Sequence, residues 1–220
     1  MRILIDIGHP AHVHYFRNFI DIMEQKGHRI LVIAKDRNIT HALLDHYKIR
    51  YVGRKDYPKS IAGKLMNIPL TDLMVLKHAM KFSADILIGF SGTHIAHAGW
   101  ILGIPSVVID DTDHARLAHA SYKPFASCIL TPSCFYRNFG KKQLRFDGYM
   151  ELCYLFPKYF KPDPVIRECL ELKENEKYII MRFVSWRASH DVGHSGLSLE
   201  LKRKAVREFS KYAKVFIEAP

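Results

Sequence analysis

The stretch Arg2-Ile3-Leu4-Ile5-Asp6-Ile7-Gly8-His9-Pro10-Ala11-His12-Val13-His14 sets the fold class of this 220-residue chain. Its first half is a short apolar run rich in β-branched residues and bounded by Gly8 and Pro10, which reads as a buried strand over Arg2–Ile7. Its second half leads into a different period. Phe16, Phe19, Ile20 and Met23 recur at helical spacing across Tyr15–Gln25, and Gly27 follows as a C-cap. Strand, glycine-containing turn and one-faced helix form the opening of a βαβ unit.

The alternation continues through the next hundred residues. Arg29–Ala34, Arg50–Val52, Asp85–Ile88, Ser106–Ile109 and Ser127–Leu130 read as strands. Ile39–Tyr47, Ser60–Phe82, Thr93–Leu102 and Ala115–Ala120 read as helices, the long one interrupted near Pro69 and restarted at Thr71-Asp72. Strands separated by helices imply parallel pairing with right-handed crossovers, hence a doubly wound, Rossmann-like α/β sheet. Pro157, Pro162 and Pro164 then break the pattern, so residues 1–157 are expected to form an N-terminal domain and residues 158–220 a linker with the start of a second one. In that second region Val165–Leu172 and Leu199–Ala213 read as helices, and Lys177–Phe183 and Val215–Ile217 as strands. Two parallel strands cannot bury both sheet faces, so the second Rossmann-like domain is expected to be incomplete and the chain a truncated piece of a longer protein.

Composition narrows the function. The formal net charge is +11, which suits an anionic small-molecule substrate. Basic runs are short, as in Lys202-Arg203-Lys204, and aromatic residues do not interleave with them, so a nucleic-acid groove is disfavoured. The apolar runs fall far below the roughly 20 residues a membrane span needs, and the N-terminus carries no signal-peptide pattern. A cytoplasmic protein is expected, with Cys128, Cys134, Cys153 and Cys169 reduced and too widely spaced for a metal clip.

The chain holds 13 histidines, and their positions matter more than their number. His28, His41, His46 and His78 fall on helices or a helix end, whereas His9, His12, His14, His94, His114, His119, His190 and His194 follow strands. In an open parallel sheet those loops share the carboxyl edge, where ligands bind. In the first loop Gly8 permits close approach, Pro10 stiffens the turn, and the free N–H groups of the helix start are expected to attract an anion. His9 and His12 are candidate catalytic groups there, with His14 a substrate contact. The spacing is neither GxGxxG nor a P-loop. In Asp110-Asp111-Thr112-Asp113-His114, the groups Asp111, Asp113 and His114 are candidates for acid–base work, since crowded carboxylates raise one another's pKa. Asp113 equally suits the N-cap of the following helix. Ser91, Thr93 and His94 form a small polar loop that can hold a ligand, although Ser91 also suits an N-cap. In the segment 182–196 a strand gives way to a long loop with two Arg, three Ser, two His and two Gly, in which arginine offers bidentate phosphate contact and serine and glycine supply donors without bulk. No HExxH or comparable spacing occurs, and no metal is assigned.

These motifs resemble an uncharacterised prokaryotic family with a two-domain GT-B-type fold, distantly similar to nucleotide-sugar glycosyltransferases and to non-hydrolysing UDP-N-acetylglucosamine 2-epimerases. The residues that carry the resemblance are Ile5–His14, Asp110–Ala115, Arg182–Trp186 and His190–His194. The resemblance implies that the N-terminal domain receives an acceptor, the C-terminal domain a nucleotide sugar, and that reaction occurs in the cleft between them. It implies that the His9–His14 loop faces that cleft and that Arg182, Ser185, His190 and Ser195 approach a diphosphate. The nucleotide sugar is then a substrate, and no cofactor is needed. The leading expectation is a glycosyltransferase whose general base is His12, His9 or Asp111. A nucleotide-sugar 2-epimerase and a non-catalytic sugar- or nucleotide-binding module are the alternatives.

Overall fold

Ile3, Leu4, Ile5 and Ile7 of β1 (Arg2–Ile7) are all buried, because this strand lies in the middle of a sheet covered on both faces. The computed structural model describes residues 1–54, 61–183 and 196–218, the side chains of residues 61–67 excepted. The elements that follow are α1 (Pro10–Gln25), β2 (Arg29–Lys35), α2 (Asn38–His46), β3 (Tyr51–Arg54), α3 (Ile61–Phe82), β4 (Ile86–Phe90) and α4 (Thr93–Leu102). Then come β5 (Ser106–Ile109), α5 (Arg116–Tyr122), β6 (Cys128–Pro132), β7 (Gln143–Phe146) and α6 (Leu152–Leu155).

Seven strands form one parallel sheet in the order β3-β2-β1-β4-β5-β6-β7, a Rossmann-like arrangement. Ile5 lies opposite Val32 on one side and Ile88 on the other. Strand alternation then sorts the side chains into two cores. Leu4 and Ile33 join Val75 and Ala79 of α3, Ile95 and Ala98 of α4 and Tyr122 of α5. Ile3, Ile5, Ile7 and Val32 join Val13, Phe16 and Ile20 of α1 and Leu44 of α2.

Three details differ from the sequence reading. The first helix begins at Pro10 rather than Tyr15, since proline is pre-organised for the first helical position and lacks only an N–H that has no intrahelical partner there. The helix α3 runs through Pro69 without the expected interruption. Proline removes one hydrogen bond, and the buried face formed by Thr71, Val75 and Ala79 holds the helix against the sheet regardless. Strand β7 and the one-turn α6 were not expected. Each is only four residues long, and the inner residues of β7, Leu144 and Arg145, are exposed, so neither carries a period.

The chain divides into two compact units, Met1–Lys161 and Pro162–Pro220. The second contains α7 (Val165–Cys169), β8 (Tyr178–Arg182), α8 (Leu199–Phe209) and β9 (Lys214–Glu218), with β8 and β9 paired in parallel. Among its described residues only Leu172 is buried. All four cysteines are free thiols. Among the described residues no helix is long and apolar enough to cross a membrane.

Candidate active site

Between β1 and β4 the strand order changes direction, the place in an open parallel sheet where ligands bind outside the carboxyl edge. The β1 side of it is built almost wholly from its own hydrogen bonds. The Gly8 N–H donates to His12 Nδ1 at 3.3 Å, the Ala11 N–H donates to His9 Nδ1 at 3.2 Å, and the His12 N–H donates to the His9 carbonyl at 3.0 Å. Pro10 has no N–H. The first amides of α1 are therefore spent within the loop, against the expectation that they attract an anion.

The Gly8 bond also fixes the chemistry of His12. A backbone N–H can only donate, so Nδ1 accepts and the proton of the neutral ring sits on Nε2. Burial first, and then the charges of His9, Arg37 and Arg54, push His12 down to about 3. It is a neutral hydrogen-bond donor at physiological pH and a weak base. Its ring packs at 4.8 Å from Phe90 and 6.1 Å from Tyr15. Tyr15 continues an aromatic wall, 5.4 Å from Phe90 and 6.0 Å from Tyr154. His14 closes that wall: its ring lies 5.5 Å from Tyr154, and its Nδ1 is 3.3 Å from the Tyr47 hydroxyl. Burial, then Arg17, lowers its pKa.

The loop after β5 holds three aspartates with three different roles. Asp110 is fully buried and accepts from the Ser91 hydroxyl at 3.0 Å, the Tyr122 hydroxyl at 2.7 Å and the Thr112 N–H at 2.8 Å. It ties β4, β5 and α5 together. Burial, then the Asp110 charge, pushes the Tyr122 hydroxyl far above its ordinary range, so it stays a donor. Asp111 is half-buried, and burial raises its carboxyl, aided by the charges of Asp110 and Glu151 against a hydrogen bond from Thr112. It also lies within electrostatic reach of Tyr15, which burial, Asp111 and Glu151 push up to about 12. Asp113 accepts from the Tyr136 and Arg137 N–H groups at 2.8 and 3.1 Å, and its carbonyl accepts from Arg137 Nε. It fastens the loop after β6 and does not cap α5, whose N-cap is Ala115. His114, beside it, is exposed.

The polar loop after β4 is likewise turned inward. Ser91 has φ +46°, a left-handed backbone uncommon outside glycine, and its hydroxyl serves Asp110 rather than the N-cap of α4, which is Gly92. Thr93 pairs with the Ser121 hydroxyl at 2.6 Å. His94 Nδ1 donates to Asp72 at 2.7 Å, and His97 Nδ1 contacts the other oxygen of the same carboxylate at 2.8 Å. Burial works to raise Asp72, but the hydrogen bonds from His94 and His97 outweigh it and hold the carboxyl low. Thus Thr93 and His94 join α4 to α5 and α3. In the second unit Arg182 is 72% exposed and lies 3.5 Å from Glu218. Ser185, His190 and Ser195 lie outside the described residues.

Sequence reasoning missed four contributors: the ion pair Asp6–Arg54, Asp72, Glu151, and the aromatic pair Tyr15 and Tyr154. Asp6 carried a signal, being a charge in an otherwise apolar strand. Among the described residues no three metal-capable side chains come together.

Comparison with known proteins agrees with this geometry at the level of fold. The profile of a family described as a protein of unknown function, DUF354, matches residues 1–217. An uncharacterized protein of Methanocaldococcus jannaschii is 22% identical over 188 residues, which covers 81% of this chain and 54% of that one. Among solved structures, S. aureus MnaA in a co-structure with UDP superposes with a TM-score of 0.68 at 12% identity, over 100% of this chain and 62% of its own. The UDP-GlcNAc 2-epimerase from M. jannaschii gives 0.69 at 9% identity, over 100% of this chain and 73% of its own. The spinosyn rhamnosyltransferase SpnG, complexed with thymidine diphosphate, gives 0.56 at 13%, over 100% and 65%. The chain thus spans about half the length of the curated relative and under two thirds of MnaA. It shares the GT-B-type fold of nucleotide-sugar enzymes.

Proposed function

The chain belongs to this family of unknown function, and on that premise we propose that it works on nucleotide sugars as a glycosyltransferase. Asp111 serves as general base on an acceptor hydroxyl, and neutral His12 as a hydrogen-bond donor from Nε2. The observation that carries this reading is the contrast between the two groups. One edge of the sheet holds a carboxyl raised by burial and by neighbouring carboxylates, and a histidine lowered by burial and by neighbouring cations. At neutral pH this leaves a carboxylate more basic than an ordinary one and a neutral imidazole that donates from Nε2, a pairing suited to divided acid–base work. The raised carboxylate takes the proton of the acceptor oxygen as that oxygen bonds to the anomeric carbon, and the nucleoside diphosphate departs with the electron pair of the broken C–O bond. Arg182, with Ser185, His190 and Ser195, is assigned to the diphosphate. The low value for His12 supports moving the role of base from His12 to Asp111.

A second reading is sugar 2-epimerisation by elimination and re-addition. It is favoured by the presence of two carboxylates, Asp111 and Glu151, both within electrostatic reach of Tyr15. Incubation with a nucleotide sugar in deuterated water and without acceptor separates the two, since only the epimerase exchanges the proton at C2.

A thermal-shift series with UDP, dTDP and their sugars tests the shared premise. At 100 times its Kd a ligand adds about 2.7 kcal/mol, which for a chain of this size is a rise in Tm of roughly 5–11 °C. If no nucleoside diphosphate or sugar conjugate shifts the melting curve at millimolar concentration, the reading fails. If one does, Asp111→Asn is expected to retain the shift and lose turnover by at least about 100-fold.

A further inference from the structure

Arg54 is the last residue of β3, and its side chain crosses the carboxyl end of β2 to reach Asp6 of β1. Nε lies 3.1 Å from Asp6 Oδ1 and Nη2 3.4 Å from Oδ2, a forked contact. Each residue is 6% exposed. The register explains the meeting. Asp6 is opposite Ile33, and Ile33 is opposite Val52, so Arg54 lies two residues further along β3 on the same sheet face. That face is the one carrying Leu4 and Ile33 of the apolar core. A buried ion pair is seldom a gain over apolar residues of similar volume, and its presence calls for a role other than stability.

The surroundings supply one. A Cβ built on Gly8 would sit 3.7 Å from Arg54 Nη2 and 3.9 Å from His12 Cε1, so the guanidinium and the imidazole flank the same glycine. Gly8 is also the residue whose N–H holds His12 Nδ1. We propose that Arg54 is the positioning residue of this site: clamped by Asp6, its guanidinium sets the Gly8 turn and keeps the His12 imidazole in the form that donates from Nε2. The charged groups around His12 fit this division. Arg54 and Arg37 stand on the cationic side with His9, and Asp6 is occupied by Arg54. An imidazolium beside the buried guanidinium is disfavoured, whereas a neutral ring accepting from Gly8 is not.

The inference rests on His12 being the donor of the proposed reaction, but its test does not pass through turnover. Nitrogen-15 NMR of the histidine rings reports which nitrogen of His12 is protonated and where it titrates. In the wild type the expected pattern is a bare Nδ1 and a protonated Nε2 that persists to pH 4. Arg54→Met leaves Asp6 unpaired beside the loop, so the paired variant Asp6→Asn with Arg54→Met is measured as well, which retains volume without an orphan charge. In both, the His12 midpoint is expected to rise and the tautomer to become mixed, with Arg54→Lys restoring most of the wild-type pattern. If the folded double variant shows the wild-type tautomer and midpoint, Arg54 is a structural ion-pair partner and the proposal is overturned. Absence of nucleotide-sugar binding in the wild type, with the NMR pattern behaving as expected, counts against the proposed function alone.

Discussion

His12 shows how far a single side chain depends on residues remote in sequence. Its folded value lies near 3, well below that of a histidine in an unfolded chain, so the unfolded state binds an additional proton between about pH 6.5 and 3. The resulting stability is full above that window and falls as pH drops through it. Wild type is therefore expected to lose on the order of 1 kcal/mol more than His12→Asn between pH 7 and pH 5.5, read from urea midpoints at each pH. Equal losses in the two proteins would remove the case for a depressed histidine. The count of histidines after strands was legible in the sequence, and so was the aspartate cluster. Their division of labour was not. Asp110, Asp111 and Asp113 are neighbours in the chain, yet one is a buried tie, one a raised carboxyl and one a loop fastener. The difference comes from Ser91, Tyr122 and Tyr136, which the fold brings to them.

At the scale of elements, α4 and the start of β5 approach closely. A Cβ on Gly99 would fall 2.7 Å from the Ile104 carbonyl oxygen and 2.9 Å from Ser106 Cβ. Alanine is better than glycine inside a helix by about 1 kcal/mol, whereas forcing atoms into a packed seam costs about 1–3 kcal/mol. The clash is with backbone, which cannot rotate away, so the steric cost is expected to win. Gly99→Ala should lower Tm by roughly 2–6 °C in a calorimetric scan, and an unchanged or raised Tm would contradict the packing described. Gly8→Ala makes only ordinary contacts and is expected to leave Tm within about 1 °C. The elements themselves were largely readable, because strand and helix periods differ and parallel order follows from their alternation. The failures have physical causes. Pro69 lies in a helix held by tertiary packing, while β7 and α6 are too short for any period to show.

Over the whole molecule the two units differ in how much they bury. The seven-stranded sheet has both faces lined by fully buried side chains, whereas the described part of the second unit has one buried residue over a two-stranded sheet. Two-stranded pairings are marginal in water without further cover. Amide hydrogen exchange is expected to be slower by about 1000-fold or more at Ile5 and Ile88 than at Ile180 and Phe216. Matching protection in both sheets would show that the second unit draws stability from contacts other than its own core. The proline-rich break around residues 157–164 was visible in the sequence. Two parallel strands cannot bury both sheet faces, so a thin core after it was anticipated as well, and Ile180, Leu199, Phe209 and Ile217 are exposed in the fold.

The position of β1 in that order has a temporal side. β1 is a central strand, and one of its two neighbours, β4, begins only at Ile86 and is therefore synthesised well after it. At the roughly 5–20 residues per second of synthesis, the Ile3–Ile7 edge awaits that partner for roughly 4–16 s. During that interval the apolar strand, with Asp6 unpaired until Arg54 is made, lies open to other nascent chains. Asp6, near the end of that strand, is a charge of the kind that interrupts apolar strands and discourages premature pairing.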